Sequence, residues 1–92
     1  MTRAYDPLFE ALSSEVRRDI VTLLKEKELC VSEIHSKFFA SRTAISYHLS
    51  ILNDLGILKT KKKGRQIYYN LDPDFIHKHL TSFIDKFLLS AS

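Results

Sequence analysis

The 92-residue sequence predicts one mainly α-helical domain that carries a small β-hairpin. A chain of this length has too few apolar residues to divide between two cores, so we expect a single domain over residues 1–92. Its apolar residues recur at helical spacings of three and four along most of the chain and alternate only between residues 57 and 71. With two Gly and two Pro in all, turns are few and most elements are helical.

The composition is that of an ordinary globular protein. A hydrophobic fraction of 45% with 27% charged residues is too apolar for a disordered tail and too interrupted by charge for a membrane span. No apolar run follows Arg3 before Asp6 and Pro7, so no signal peptide is recognisable, and the single Cys30 cannot form an internal disulfide. We therefore expect a cytoplasmic protein with no membrane partner.

An acidic residue and a proline mark the start of the first helix. Asp6 is a suitable N-cap, and Pro7 occupies the first helical position, where a missing N–H has no cost. The apolar residues of this helix are Leu8, Phe9 and Leu12.

Apolar residues at spacings of three and four predict the second and third helices. The second begins near Ser14. The third lies within LCVSEIHSKFF, where Cys30 stands in the place of a capping Ser or Thr three residues before Glu33. We expect this lone thiol to be buried as a small hydrophobe. The core-facing residues of the two helices are Val16, Ile20, Leu23 and Leu24, followed by Val31, Ile34 and Phe38.

A short turn, FFAS, leads into the fourth helix. Ser41 is its predicted N-cap, and Gly56 ends it. Two helices joined by so short a turn form a helix-turn-helix unit, which DNA-binding proteins use to place the second helix in the major groove. His48 borders the core and is expected to make a local contact. The buried stripe of this helix is Ile45, Leu49 and Leu52.

The spacing of apolar residues changes to alternation in ILKTKKKGRQIYYNL. Lys63 and Gly64 are the predicted turn of a β-hairpin. Ile67, Tyr69 and Leu71 then lie on one side of its second strand.

A last helix follows Asp72 and Pro73, which repeat the N-cap and proline pattern of the first helix. The complete order, α-α-α-α-β-β-α, is that of a winged helix-turn-helix domain. The apolar stripes of the first and last helices exceed what a domain this small can cover, so we expect a homodimer formed through the terminal helices. The predicted interface comprises Leu8, Phe9, Leu12, Ile76, Leu80, Phe83, Phe87 and Leu88.

The net charge of +3 is concentrated in one part of the chain. Residues 35–69 hold seven Lys or Arg against a single acidic residue, whereas the remainder holds seven against ten. Five cations lie between Lys59 and Arg65, where they repel one another unless a polyanion such as DNA phosphate neutralises them. Lysines at a hairpin edge also prevent aggregation. The cations of the hairpin, taken alone, are therefore consistent both with DNA binding and with protection from aggregation.

The fourth helix presents a small, polar and singly basic side. At 100° per residue, five side chains span about 140° of it, roughly opposite the side of Ile45, Leu52 and Leu55. Solvated helix faces usually carry Glu and Lys, whereas short hydroxyls let a helix approach base edges while Arg and Tyr reach acceptors or methyl groups. This side is therefore predicted to bind double-stranded DNA, with the hairpin contacting phosphates. Its residues are Arg42, Thr43, Ser46, Tyr47 and Ser50.

Two segments, LFEALSSEVRRDIVTLLKEKELCVSEI and SRTAISYHLSILNDLGILKTKKKGRQIYYNL, resemble the ArsR family of bacterial winged-helix repressors. The matching motifs are an ALS-x-x-x-R opening, a serine-rich S-x-H-L-x-x-L-x-x-x-G helix and a G-R-x-x-Y-Y-x-L wing strand, within Leu8 to Leu71. The resemblance implies a homodimeric transcriptional repressor that occupies operator DNA. Carried over by position, it implies base contacts by Arg42, Thr43, Ser46 and Tyr47 and backbone contacts by Ser41, Lys61, Lys62, Lys63 and Arg65.

The metal-ligand motifs of that family are incomplete in this chain. Metal-sensing members often carry two cysteines in ELCVC, whereas this sequence has ELCVS, with Ser32 at the second position. Asp74 and His77 lie on the last helix, His79 is about 200° around the helix from His77, and no His follows it, so no metal and no other cofactor is predicted. The chain instead resembles the autorepressor-like members, which are controlled by a regulatory protein partner or by their own abundance.

Two alternatives stay open from the sequence. Cys30, or Asp74 and His77 from both chains of a dimer, could make the protein a redox- or metal-sensing repressor. The winged fold could also be a protein-interaction module that does not read DNA, although such a module does not require a cationic hairpin. An enzyme is not expected, because the sequence has no phosphate-binding loop, no paired carboxylates and no nucleophile with a base at a recognisable spacing.

Overall fold

A computed structural model describes residues 6–89, without the side chains of residues 87 and 89. The predicted order of helices and strands is confirmed, with a short strand added before the third helix and a π-helical turn at Asp85–Leu89 after the last. The helices are α1 (Pro7–Leu12), α2 (Glu15–Glu26), α3 (Val31–His35), α4 (Arg42–Leu55) and α5 (Pro73–Ile84), and the strands are β1 (Leu29–Cys30), β2 (Leu58–Lys63) and β3 (Gln66–Leu71).

The helix starts are fixed by side-chain caps, as predicted. Asp6 accepts hydrogen bonds from the backbone N–H groups of Leu8 and Phe9 at 3.0 and 3.2 Å, which satisfies two of the donors that a helix N-terminus leaves unpaired. The other N-cap side chains that accept such bonds are Ser14, Ser41 and Asp72.

The start of α3 relies on a glutamate that reaches back to the chain preceding the helix. The carboxylate of Glu33 accepts a hydrogen bond from the backbone N–H of Cys30 at 3.0 Å, and this bond holds the pKa of Glu33 below its usual value. Cys30 itself is buried in the core, in agreement with the prediction for its thiol.

Strand β1 converts the hairpin into a three-stranded antiparallel sheet of order β1-β3-β2. In this sheet Leu29 pairs with Tyr69 and Cys30 with Tyr68. The sequence did not predict β1 because a strand of two residues has no readable alternation. The short strand joins the segment before α3 to the middle of the wing.

The hairpin turn lies one residue later than predicted. The pairing of β2 with β3 extends from Leu58 with Leu71 to Lys63 with Gln66, so the two turn residues are Gly64 and Arg65, not Lys63 and Gly64. Gly64 has a φ of 61°, while no residue other than glycine has a positive φ among those described. Glycine is favoured at the first turn position of such a hairpin because that position requires a left-handed conformation.

The core is built mainly from α2, α3 and α4 and is closed by the residues that lead into β2. Gly56 ends α4 with a φ of 96°, and the N–H of Ile57 then donates to the carbonyl of Leu52 at 3.3 Å. The wing is thus attached directly to the end of α4. The largest fully buried side chains are Ile20, Leu24, Ile34, Ile45, Leu49, Leu52 and Ile57.

None of the helices between residues 6 and 89 combines the length and apolar content needed to cross a bilayer.

Candidate nucleic-acid interface

The outward side of α4 is exposed along the face that the sequence predicted. Ile45, Leu49 and Leu52 are buried, whereas the five predicted polar positions are exposed. Arg42, Thr43 and Ser46 form no side-chain hydrogen bond or ion pair with the rest of residues 6–89. Their donors and acceptors are therefore available to a ligand.

The N-terminus of α4 adds backbone and hydroxyl groups to this face. Ser41 is exposed and its Oγ accepts a hydrogen bond from the N–H of Ala44 at 3.1 Å. Its hydroxyl hydrogen can still donate to an acceptor outside the protein. Because a helix N-terminus favours negative charge, a phosphate near Ser41 would be stabilised by the helix as well as by the hydroxyl.

The five cations of the hairpin divide between its two faces. Opposite residues in an antiparallel pair share a face, so Lys61 lies on the side of Tyr68, and Lys59 and Lys63 follow it by alternation. Lys62 lies on the other side, opposite Ile67. All five cations are exposed, and the hairpin presents positive charge on both faces and at its turn.

Lys63 is the one wing lysine bound by a carboxylate within the described part of the chain. Its Nζ lies 2.6 Å from Oε2 of Glu28 and 5.0 Å from the centre of the Tyr68 ring. The hydrogen bond with Lys63 holds the pKa of Glu28 below its usual value, and the same bond raises the pKa of Lys63. Both groups are therefore charged at neutral pH. The sequence did not predict this pair, because it depends on β1 lying beside β3.

Arg17 is a second functional residue that sequence reasoning did not single out for its role. It is only 7% exposed. Its guanidinium donates to the carbonyl oxygens of Ala11 at 3.3 Å and Glu10 at 3.1 Å and to Oγ of Ser13 at 3.1 Å. A further nitrogen lies 3.2 Å from Nδ1 of His48. Arg17 thus connects the end of α1 with helix α4.

His48 makes the local contact predicted for it. Because a guanidinium can only donate, Nδ1 of His48 accepts from Arg17 and the neutral ring carries its proton on Nε2. The imidazole also contacts the Tyr47 ring edge to face, with ring centres 5.5 Å apart. Burial, followed by the charge of Arg17, lowers the pKa of His48 from its ordinary value.

The terminal helices leave an apolar surface uncovered. Phe9, Leu80 and Leu88 are exposed, at 63%, 45% and 65%. Leu8, predicted at the dimer interface, is instead 7% exposed, because it lies with Ala11 on the side of α1 that packs against the rest of the domain. Half-buried Leu12, Ile76 and Phe83 border the exposed residues, and the side chain of Phe87 lies outside the described residues.

The residues considered for metal binding do not form a cluster. Cys30 is buried, while Asp74 and His77 are exposed on α5. His79 packs its ring against Phe75, with centres 4.2 Å apart. Among residues 6–89, no three side chains of His, Cys, Asp or Glu are placed to share a metal ion.

A family model described as "Bacterial regulatory protein, arsR family" matches residues 14–60, which extend from the start of α2 into β2. The chain is 36% identical over 83 residues to a cadmium resistance transcriptional regulatory protein, a CadC homolog of Staphylococcus aureus, in a match covering 89% of this chain. It spans 65% of the length of that relative. The match to the transcriptional repressor SdpR of Bacillus subtilis (strain 168) is 33% over 82 residues and covers 86% of this chain and 91% of SdpR.

The fold is similar to that of a solved protein described as a possible transcriptional regulator for arsenical resistance. That structure has a TM-score of 0.75 and 34% sequence identity, and the match covers 97% of this chain and 99% of the other. The winged helix-turn-helix architecture predicted from the sequence is thereby confirmed.

Proposed function

This chain belongs to the arsR family of bacterial regulatory proteins, and on that basis we propose that it is a cytoplasmic, homodimeric transcriptional repressor that binds an inverted-repeat operator in double-stranded DNA. Its family consists of regulators and not of enzymes, as the sequence predicted. The observation that carries the proposal is the exposed, unpaired polar face of α4, which is attached to a hairpin rich in exposed cations.

Base reading is assigned to the exposed face of α4. Arg42 can donate two parallel hydrogen bonds to the O6 and N7 atoms of guanine, the commonest specific contact in the major groove. Thr43 and Ser46 are short enough to let the helix approach the base edges, and each hydroxyl can donate or accept. Tyr47, two-thirds exposed beside His48, completes the face with a phenol that can reach a base or a phosphate.

Contacts with the DNA backbone are assigned to Ser41 and to the wing cations Lys61, Lys62 and Arg65. Each lysine that neutralises a phosphate releases a condensed counterion, which makes affinity depend on salt but not on sequence. Arg65, in the turn, is placed to enter a narrow minor groove, where the negative potential is enhanced. Lys63 differs from these residues because Glu28 already binds it.

The exposed apolar surface of α1, α5 and the π-helical turn after α5 supports the dimer. Covering Phe9, Leu80 and Leu88 with the same residues of a second copy would remove these side chains from water. A two-fold pair would place its two α4 helices in successive major grooves, about 34 Å apart along the duplex. The operator should therefore be an inverted repeat whose half-sites are separated by one helical turn.

A metal-responsive repressor is the second candidate, favoured by the relation to a cadmium resistance regulator. In this chain its ligands would be Asp74 and His77 of α5 contributed by both protomers. Zinc or cadmium would then release the operator complex of the wild-type protein but not that of His77→Gln. Without such release, control by a regulatory protein partner or by abundance is the better account.

Fluorescence anisotropy with a labelled duplex from the protein's own upstream region, compared with a random duplex, tests the main proposal. Arg42→Ala should reduce the preference for the operator by about 1–3 kcal/mol. Lys62→Gln is the matched control, because it should weaken binding to both duplexes equally and lower the salt slope by about 1.8, one phosphate contact from each protomer. Binding that does not respond to salt, or that is unchanged in both variants, would contradict DNA binding through this surface.

A further inference from the structure

The ion pair between Glu28 and Lys63 lies within the surface assigned to phosphate. Glu28 directly precedes β1, and β1 pairs with the middle of β3. This position brings its carboxylate to the face of the wing that carries Lys59, Lys61 and Lys63. An acidic side chain therefore occupies a place among cations that otherwise have no counter-charge on this face of the described structure.

The pair is held by more than one contact. Lys63, at the end of β2, extends back across the Tyr68 ring at 5.0 Å before its ammonium reaches Glu28 at 2.6 Å. The aromatic face favours the cation, and the carboxylate binds it directly. The charge of Lys61 also stabilises the ionised form of Glu28. These contacts direct Lys63 toward the base of the wing and away from the turn.

We propose that Glu28 is a positioning residue that competes with DNA phosphate for Lys63 and so limits the number of wing cations available to the backbone. This inference rests on the proposed DNA-binding function. In the free protein and in the complex, Lys63 stays with Glu28, while Lys62 on the opposite face makes no ion pair within residues 6–89. Removing the carboxylate adds one phosphate contact that is independent of base sequence.

The expected gain in DNA affinity depends on how exposed the Glu28–Lys63 ion pair is. The side chain of Lys63 is 49% exposed and that of Glu28 is 27% exposed, so water and salt weaken their attraction. We expect Glu28→Gln to increase affinity for any duplex by about two- to fivefold. The plot of log affinity against log salt concentration should become steeper by about 1.8, the value for one additional phosphate contact from each protomer of the dimer.

The experiment measures binding of a random duplex over a series of salt concentrations, with Glu26→Gln as the control. Glu26 is exposed at the end of α2 and changes the net charge by the same amount without touching the wing. Its variant should leave the salt slope unchanged. A Glu28→Gln variant that matches Glu26→Gln, or that binds more weakly than wild type because Lys63 has lost its orientation, overturns the proposal.

A comparison of two adjacent lysines gives an independent test that does not require the Glu28 variant to fold. In the wild-type background Lys62→Gln should reduce the salt slope by about 1.8, one phosphate contact from each protomer, and Lys63→Gln should change it little. In the Glu28→Gln background, Lys63→Gln should return the salt slope to the wild-type value. Equal losses for the two lysines in the wild-type background overturn the inference alone. If the wild-type protein binds no duplex in a salt-dependent way, both this inference and the proposed function are overturned.

Discussion

The side chain of Arg17 connects helix α1 with helix α4. It is a buried cation that donates to two backbone carbonyls and to Oγ of Ser13 at the end of α1, and the Glu10 carboxylate lies 3.7 Å from its guanidinium, so peptide dipoles and a carboxylate replace water around its charge. Its bond to His48 reaches α4. Arg17 therefore fixes α4 relative to the helix that carries the exposed Phe9.

Replacing Arg17 by Met should destabilise the fold. Met fills a similar volume, but the carbonyl of Ala11 and Nδ1 of His48 would lose their donor, and we expect the free energy of unfolding to fall by roughly 2–4 kcal/mol. Urea denaturation followed by circular dichroism measures this change. The matched control is Arg18→Met, because Arg18 is exposed and, among residues 6–89, its guanidinium bonds only the Leu12 carbonyl, at 2.7 Å. Equal losses for the two variants would contradict the role given to Arg17.

His48 gives the fold a dependence on pH whose sign follows from its surroundings. Burial and the nearby charge of Arg17 place its pKa below the ordinary histidine value of 6.5. The unfolded chain then binds more protons than the folded one, so stability is complete above about pH 6.5 and falls as pH drops toward the folded pKa.

Substituting His48 by Gln isolates this contribution. The amide oxygen of Gln can still accept from Arg17, but it does not titrate, so the variant should lose less stability than wild type between about pH 7.5 and pH 5.5. Thermal melting at several pH values measures the difference. His77→Gln serves as the control, since His77 is exposed on α5, and it should follow the wild-type profile. A pH profile of His48→Gln identical to that of wild type would contradict the assignment.

At the scale of residues, contacts between neighbours in the sequence, such as helix caps, were predictable, whereas contacts between residues far apart in the sequence were not. The capping roles of Asp6 and Ser41 depend on groups within three residues, and both were predicted correctly. The burial of Arg17 had a signal, because it precedes Ile20 by three positions on the apolar side of α2. A cation is normally expected in solvent, and its carbonyl partners cannot be read from side-chain types.

At the scale of elements, Gly56 controls the passage from the DNA-facing helix to the wing. Its φ of 96° lies in the left-handed region, and a Cβ at this position would lie 3.3 Å from the ring of Phe75. The residue therefore permits both the turn at the end of α4 and the close packing of α5 beneath it.

The substitution Gly56→Ala should therefore be more costly than Gly64→Ala. Both glycines have positive φ, so both variants acquire backbone strain of about 1 kcal/mol, but only Gly56→Ala also crowds the Phe75 ring. A Cβ on Gly64 would meet no atom within 4 Å. We expect the additional loss at Gly56 to be about 1–2 kcal/mol by chemical denaturation. Equal stability of the two variants would show that the Phe75 ring moves aside freely.

The spacing of apolar residues predicted the long helices and strands but not the shortest strand. Helices α2, α4 and α5 and the hairpin each contain several turns or alternations, and all were predicted. Strand β1 contains two residues and was missed, although it places Glu28 beside Lys63. Alternation is recognisable only in a longer run of residues. The hairpin of the wing was therefore predicted, whereas the ion pair between Glu28 and Lys63, which depends on β1, was not.

At the scale of the whole molecule, the cations and part of the exposed apolar surface lie on different segments of the chain. The cations of the wing and α4 lie between residues 42 and 65, whereas Phe9, Leu80 and Leu88 lie at the two ends of the described chain; Phe39, Tyr47 and Ile67 are also exposed, before α4, on α4 and in the wing. The excess of apolar residues in the terminal helices was readable from the sequence. The inward orientation of Leu8 was not, because α1 has fewer than two turns over which to define a face.

Phe9→Asp tests the dimer with little risk to the fold, because Phe9 is 63% exposed and is not part of the core. Two carboxylates brought together at a two-fold interface would repel and remain poorly solvated, so sedimentation equilibrium at micromolar concentration should show a monomer. Loss of the second DNA-binding unit should weaken operator binding by at least about 100-fold, whereas a single half-site should be bound as before. Phe39→Asp is the matched control, since Phe39 is fully exposed in the turn before α4 and should leave the dimer intact. A Phe9→Asp protein that still sediments as a dimer would exclude the terminal helices as the interface and would require the inverted repeat to be bound in another way.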